Sequence, residues 1–535
     1  MALTTREQEP AATTQESRGR RPARLALVAA MLVLAAGVGL LAQAALAGQR
    51  LPAGRPRIAP ETPLTAMDHG MAPANNSPTI LADPTEPRFV VLANRLDAPD
   101  FGCALQVSGD GGHTWAPVVP VPTLPEGAEK CYAPEVAFDR DGLLYYLFVG
   151  LAGRGNEPMG AFLTTSADRG ATFSQPRGVL GPLNFAVRMA IDRGMGERGR
   201  MHLVWLHATS DPGVGSFGPP PNPVLAAHSD DGGKTFSEPV QVSDRDRLRV
   251  VAPALALGGD HRVHVAYYDL GGDAVDYHGL EGPVWPETWS LVLATSHDGG
   301  RRFGPGVVVD DEIVPYERVM LIFTMPPASL VVNGTRACVA WSDGRHGDAD
   351  VLARCSTDRG RSWTKAARMN DDRLGNGKRQ FLPRVSLSPG GRLDAIFYDR
   401  RIDTYNVVNE VFFTYSTDGG RRFAPNVKVS QEGSFSRIGQ QYLTVSARGQ
   451  VEFGSRLGLL SGDREVVAAW ADTRNSRPNT TGQDIFSTVL RFPPGAAEGT
   501  TTKLVGGVLV AAGALALVAV ALRGRRGPRQ TTVSQ

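Results

Sequence analysis

The sequence predicts an all-β protein: a seven-bladed β-propeller of four-stranded antiparallel blades, flanked by an N-terminal and a C-terminal transmembrane helix. Three observations carry this. An eight-residue box occurs six times at a nearly constant spacing. Short apolar runs pair up between the boxes, separated by turn residues. Two long charge-free stretches bracket the repeats and nothing comparable lies inside them.

The boxes begin at Ser108, Ser166, Ser229, Ser296, Ser356 and Ser416, and each keeps Ser at its first position, Asp at its third, Gly at its fifth and Trp or Phe at its eighth. Their aspartates are Asp110, Asp168, Asp231, Asp298, Asp358 and Asp418, separated by 58, 63, 67, 60 and 60 residues. Gly allows a positive φ in a tight turn, and Ser and Asp can take up the turn's backbone N–H groups. The terminal aromatic can fold back over the turn. The pattern resembles the Asp-box, or bacterial neuraminidase repeat, of the sialidase superfamily, over roughly residues 76–493. The resemblance implies a propeller and does not by itself bring a catalytic site.

The opening strand pairs include SPTILAD/RFVVLAN, PASLVVN/RACVAWS and RLGLLSG/EVVAAWA, seven in all against six boxes, and each run is often led by Pro. Turns such as Asn333-Gly334 and Pro389-Gly-Gly391 close the hairpins. A third strand leads into each box and a short fourth follows it. The seventh unit has its third strand at Asp484–Phe492 but no box after it, so a segment near Arg57–Ala66 is expected to supply the missing strand and close the ring. The alternative is the six blades usual in sialidases, with the last hairpin an appendage.

Residues 1–24 form a polar tail ending in Arg18, Arg20, Arg21 and Arg24. Leu25–Ala47 is free of charge and long enough to span a bilayer, and its Ala45-Leu46-Ala47 end also fits a signal cleavage site. Residues 48–75 are a Pro- and Ala-rich linker with the possible closing strand, 76–493 the propeller, and 494–503 a second linker. Leu504–Leu522 is a second apolar span, and the basic tail 523–535 carries Arg523, Arg525, Arg526 and Arg529. The arginines at both ends place both tails in the cytoplasm if the first span is uncleaved, and the propeller outside the cell membrane.

The net charge is +2, with both signs interspersed, which excludes the concentrated basic surface that nucleic acid requires. Of the four cysteines, Cys338 and Cys355 fall on runs expected to be adjacent antiparallel strands, and Cys103 and Cys131 would pair by elimination. Two disulfides fit an oxidising compartment; four buried thiols are the other possibility. No cofactor or metal is called for. His261 and His264 lack metal-ligand spacing, and Asp310-Asp311-Glu312 reads as a solvated acidic turn before a Ca²⁺ site. Trp285 and Trp289, placed in the long loop of the fourth unit, are candidate sugar-stacking aromatics.

Strand order places all boxes on one rim of the propeller, and the loops after each second strand on the opposite face. Three of those loops carry Asp-x-Arg: Asp343/Arg345, Asp399/Arg401 and Asp472/Arg474, with Arg95 and Asp97 as the first unit's variant. Arg95, Arg345, Arg401 and Arg474 are therefore candidate ligands for an anionic group, against the alternative that each Asp–Arg pair staples its own loop. The sialidase resemblance implies three arginines on a substrate carboxylate, a Tyr nucleophile with a Glu partner, and an Asp acid/base. Arg57 in Pro56-Arg57-Ile58-Ala59 is the nearest match to the family's first arginine motif and departs from it on both sides. Asp97 or Asp100 fits the acid/base, Tyr442 the nucleophile and Glu317 its partner. With this set incomplete, the expected role is binding of a cell-surface or extracellular glycan or protein, and the alternative is an exo-glycosidase of sialidase type acting on anionic sugars.

Overall fold

The computed structural model describes residues 54–65 and 74–493, apart from 99, 121–122, 155, 210–219, 274–285, 316–325, 437–453 and 477–481, together with helical residues at 28, 31–35, 510, 514–515 and 517–518. The chain divides into a unit made of residues 1–50 and 494–535 and a unit made of residues 51–493. Among the described residues no helix is long and apolar enough to cross a membrane, and most of Leu25–Ala47 and Leu504–Leu522 lies outside them.

Residues 51–493 form seven separate antiparallel sheets, which excludes the six-bladed alternative. The first strands of the blades are Asn75–Ala82, Lys130–Phe138, Asn184–Asp192, Val250–Leu257, Ser329–Asn333, Gln380–Leu387 and Gly458–Ser461. They contact one another around the ring and line its axis. Second, third and fourth strands follow outward in chain order in six blades. In the seventh, Glu465–Asp472 and Asp484–Arg491 follow the first strand, and the outer edge is made by Arg57–Ile58 and Thr62–Pro63 from the other end of the propeller. Arg57 pairs with Arg491 and Thr62 with Ser487. Glu61 pins this closure: its carboxylate meets Arg474 and accepts the Gln431 backbone N–H.

The core is made between blades by the second strands, whose side chains are buried on both faces. At one register position stand Phe148, Trp205, Tyr267, Trp341, Phe397 and Trp470, all at most 1 % exposed. Truncating a tryptophan in such a place costs about 3–5 kcal/mol.

Each box is a closed hydrogen-bonded turn. In the fifth box Ser356 Oγ donates to Asp358 Oδ1 (2.7 Å), the Gly360 N–H donates to Ser356 Oγ (2.8 Å), and Ser362 supplies its N–H and hydroxyl to the two carboxylate oxygens (2.9 and 2.6 Å). Trp363 covers the turn and donates its ring N–H to the Gly360 carbonyl (3.1 Å). In the second box, hydrogen bonds from the Thr172 hydroxyl and backbone, then from Ser166, hold the Asp168 carboxyl down to about 2. The fifth-position glycine packs against the preceding blade. At Gly420 φ is +79° and a Cβ would stand 2.3 Å from Cys355 Sγ in blade five. At Gly170 it would stand 2.7 Å from Leu105 Cδ2 in blade one. The box therefore wedges each blade onto its neighbour.

Two disulfides are present. Cys338–Cys355 joins directly paired residues of the second and third strands of blade five. Cys103–Cys131 ties the third strand of blade one to the first strand of blade two.

Candidate functional site

The axis-lining strands depart from regular β-structure at one recurring point. Ser77, Ala133, Ala186, Ala252 and Leu382 each adopt a left-handed conformation, with φ of 54°, 50°, 50°, 51° and 54°. The pairing register breaks there in all five blades. Four of the five are followed by Pro, which lacks the N–H that a ladder would require. A bulge re-aims the side chain that follows it. Where pairing resumes stand Thr79, Glu135, Arg188, Ala254 and Arg384.

Three of these five are charged, and they gather with Arg456 from the entry to the seventh blade. Arg188 Nη1 donates to Glu135 Oε1 at 2.9 Å and its Nε to the Pro253 carbonyl at 3.1 Å. Arg456 Nη1 is ion-paired with the same Glu135 oxygen, and its Nη2 donates to the Pro134 carbonyl at 2.7 Å. The side chains of Glu135, Arg188 and Arg456 are only 10 %, 13 % and 10 % exposed. Gly458 at this level in blade seven leaves room beside Pro78, and Arg456 reaches across to the Ser77 carbonyl. A cleft beside the cluster is lined by Ser77, Arg95, Tyr132, Phe185, Arg188 and Arg456.

Two guanidiniums thus contact the Glu135 carboxylate, and the buried Arg384 lies close enough to feel the charges of all three groups. Burial would raise Glu135, but the charges of Arg456 and Arg188 outweigh it and hold the carboxyl below its ordinary range. Arg384 shows the reverse: burial, then repulsion from Arg456, lowers it to about 10, and Glu135 does not restore it. Its buried Nε has no hydrogen-bond partner among the described residues. The chemical complement of this arrangement is an anion whose oxygens can accept from several guanidinium forks, as carboxylate and sulfate do.

The four loop arginines are occupied differently. Arg345 meets Asp343 (2.6 Å) and Asp310 (2.7 Å), and Arg401 meets Asp399 (2.7 Å) and Asp371. Arg474 meets Asp472 (2.6 Å) and Glu61. Each of these arginines also gives its backbone N–H to the loop aspartate two residues back, and Trp341 and Trp470 donate to Asp343 and Asp472 from below. Arg95 is buried, pairs with Asp97 (2.6 Å) and donates to the Tyr132 hydroxyl (2.8 Å), at the wall of the cleft. Asp97 is fully buried and also accepts from Asn76 (2.8 Å). Asp100 is 73 % exposed and faces Lys130 at 3.4 Å. Glu317 and Tyr442 lie outside the described residues.

Two sequence readings need correction. Trp289 is not on an exposed loop: it opens the third strand of blade four, is 3 % exposed and donates to Asp273, because the strand begins two residues before the apolar run that starts at Leu291. Its companion Trp285 lies outside the described residues. Asp310-Asp311-Glu312 is not a turn but part of the strand Val307–Ile313, where the buried Asp310 receives Arg345 and Arg354. The residues that sequence reasoning missed are Glu135, Arg188, Arg384 and Arg456. Their signal was present: Glu135 and Arg384 each follow a Pro and interrupt an otherwise apolar opening run.

No family model matches the chain, and no curated protein does. Among solved structures, similarity is found to a protein of unknown function from Dyadobacter fermentans, at 13 % identity and a TM-score of 0.47, covering 82 % of this chain and all of that one. A polysaccharide lyase described as an ulvan lyase shares 12 % identity at a TM-score of 0.45, over 79 % of this chain and 95 % of its own. A Hadza microbial sialidase shares 12 % identity at a TM-score of 0.40, over 75 % and 76 %. At these values none of the three assigns an activity to the present chain.

Proposed function

We propose that the protein is a membrane-anchored, extracytoplasmic propeller that binds a ligand bearing an anionic group, a carboxylated glycan in particular, at the mouth of its central channel. The observation that supports this is the buried cluster in which Arg188, Arg384 and Arg456 outnumber Glu135. An excess of buried guanidinium is costly to folding and is relieved by a bound anion. Glu135 orients two of the forks, and Arg95 with Tyr132 forms the wall against which the rest of the ligand would lie. Arg345, Arg401 and Arg474 hold their loops around this mouth. Calorimetric titration of the detergent-purified protein with sialyllactose, and with lactose as the neutral control, tests the reading. Binding should be seen for the acidic sugar alone and should be lost in Arg188→Gln and Arg384→Gln. Equal binding of lactose, or intact binding in both variants, refutes it.

The convergence of three guanidiniums also favours a second reading, an exo-glycosidase of sialidase type. Asp97 is consumed by Arg95 and Asn76, so in this reading the exposed Asp100 is the acid/base to test among the described candidates. Hydrolysis of a fluorogenic sialoside, lost in Arg384→Gln and in Tyr442→Phe, would establish it; no turnover while sialyllactose still binds leaves the binding role.

A further inference from the structure

Both chain ends leave the propeller on the same rim. Every third strand runs toward its box, so Arg491, the last residue of blade seven's third strand, stands at box level. Arg57 pairs with it, so the incoming strand starts at that level too. Gly54 donates its N–H to Tyr415 Oη (2.6 Å), beside Ser416 of the sixth box, and a Cβ on Gly54 would lie 3.8 Å from Pro493 Cγ. Arg491 meets Glu465 (2.6 Å), which also faces His113 of the first box (3.4 Å). Only ten residues, 494–503, separate this rim from Leu504. Fully extended they reach ~35 Å.

The boxes of blades four to six, the last of which borders this exit, are basic. Arg301, Arg302, Arg361, Lys365, Arg421 and Arg422 are all exposed, Arg302 and Arg422 at 88 % and 87 %. Within those boxes Asp298, Asp358 and Asp418 oppose them; each carboxylate accepts backbone N–H groups of its own turn, and Asp298 and Asp418 also pair with Arg302 (3.1 Å) and Arg422 (3.0 Å). The first three boxes carry the opposite balance: His113, Lys234 and Arg169, the last already paired with Glu86, stand beside Asp110, Asp168, Asp230 and Asp231.

We propose that the box rim is the membrane-facing side of the propeller and that the arc formed by boxes four to six rests on anionic phospholipid headgroups. The channel mouth with Arg188, Arg384 and Arg456 is then turned away from the membrane, toward ligands outside. This rests on the proposed anchoring, and three features support it: the exit point of both chain ends, the short tether, and charge complementary to an acidic bilayer.

The test uses the full chain reconstituted in vesicles. The four native cysteines are paired, so a single added thiol takes the dye. Thr417→Cys in the sixth box and Thr404→Cys in the opposite-face loop of the same blade are labelled separately, and energy transfer to a headgroup acceptor dye is measured. Transfer should be higher at position 417 in phosphatidylglycerol vesicles. It should drop in phosphatidylcholine vesicles, at ~1 M salt, where the Debye length shrinks to ~3 Å, and in a variant carrying Arg301, Arg302, Arg421 and Arg422→Glu. Higher transfer at 404, or transfer at 417 indifferent to headgroup charge, salt and charge reversal, overturns the docking. Release of the protein by alkaline carbonate, with transfer lost equally at both positions, overturns the anchoring itself and the docking with it.

Discussion

Replacing Arg384 by Met should stabilise the protein while removing ligand binding. A guanidinium that titrates near 10 instead of 12.5 is held charged at neutral pH at a cost of about 3 kcal/mol. Met keeps most of the aliphatic stem and removes the charge, its desolvation and the repulsion from Arg456. Imperfect packing of the new side chain takes back about 1 kcal/mol, so the expected gain is about 1–2 kcal/mol. Urea unfolding of the detergent-solubilised chain, followed by the fluorescence of Trp205, Trp341 and Trp470, reads it as a higher midpoint with an unchanged slope. A second arm separates function from packing. Sulfate at ten times its dissociation constant should stabilise the wild type by about 1.4 kcal/mol through mass action and should leave the variant where it was. A lower midpoint for Arg384→Met, together with the same sulfate response as wild type, would show that Arg384 is compensated by groups already in the fold, and the anion-site argument would fall.

Removing the single carboxylate should act in the opposite sense: Glu135→Gln leaves Arg188 and Arg456 without their counter-ion and should cost about 3–5 kcal/mol, read as a drop in the same urea midpoint. Gly420→Ala should be more damaging than Gly419→Ala, by about 1–3 kcal/mol of overpacking, because only at 420 does the new Cβ meet Cys355; equal thermal stability of the two variants would refute the wedge. His202 and His264, both buried, are lowered by burial to about 4 from an ordinary 6.5. The unfolded chain therefore binds more protons between those values, so stability is full above pH 6.5 and falls toward pH 4 by about 3 kcal/mol per histidine; unfolding measured at both ends of that range in wild type and His202→Gln should show the slope and its partial loss. Non-reducing peptide mapping should find the 103–131 and 338–355 links, and loss of the first, which closes a 28-residue span, should cost about 3–4 kcal/mol.

The propeller was legible because its signals are local and repeated. Six boxes in register report the same turn six times, and the seven strand pairs follow from alternation of apolar residues with turn residues. The same locality explains why the arginines most visible in the sequence are bound up in the fold. Asp343-Gly-Arg345 reads as a motif because Asp and Arg lie two residues apart, and that nearness lets Asp343 capture the Arg345 backbone N–H and guanidinium together. A motif able to satisfy its own charges has little left to offer a ligand. The cluster at the axis has no motif. Glu135, Arg188, Arg384 and Arg456 come from four blades, and consecutive members are separated by 53, 196 and 72 residues in the chain. They meet only because a bulge at a fixed level of the first strand turns one side chain per blade, and because Arg456 reaches across to the Ser77 and Pro134 carbonyls. Position in the repeat, and not spacing in the sequence, is what brings these charges together. In a closed ring the positions to inspect are those where a polar residue replaces an apolar one at the same place in successive units. By that criterion Glu135 and Arg384, each directly after a Pro, stand out from Ala254 in the same place. Charge alone would never separate them from the 56 lysines and arginines and 54 acidic residues of the chain.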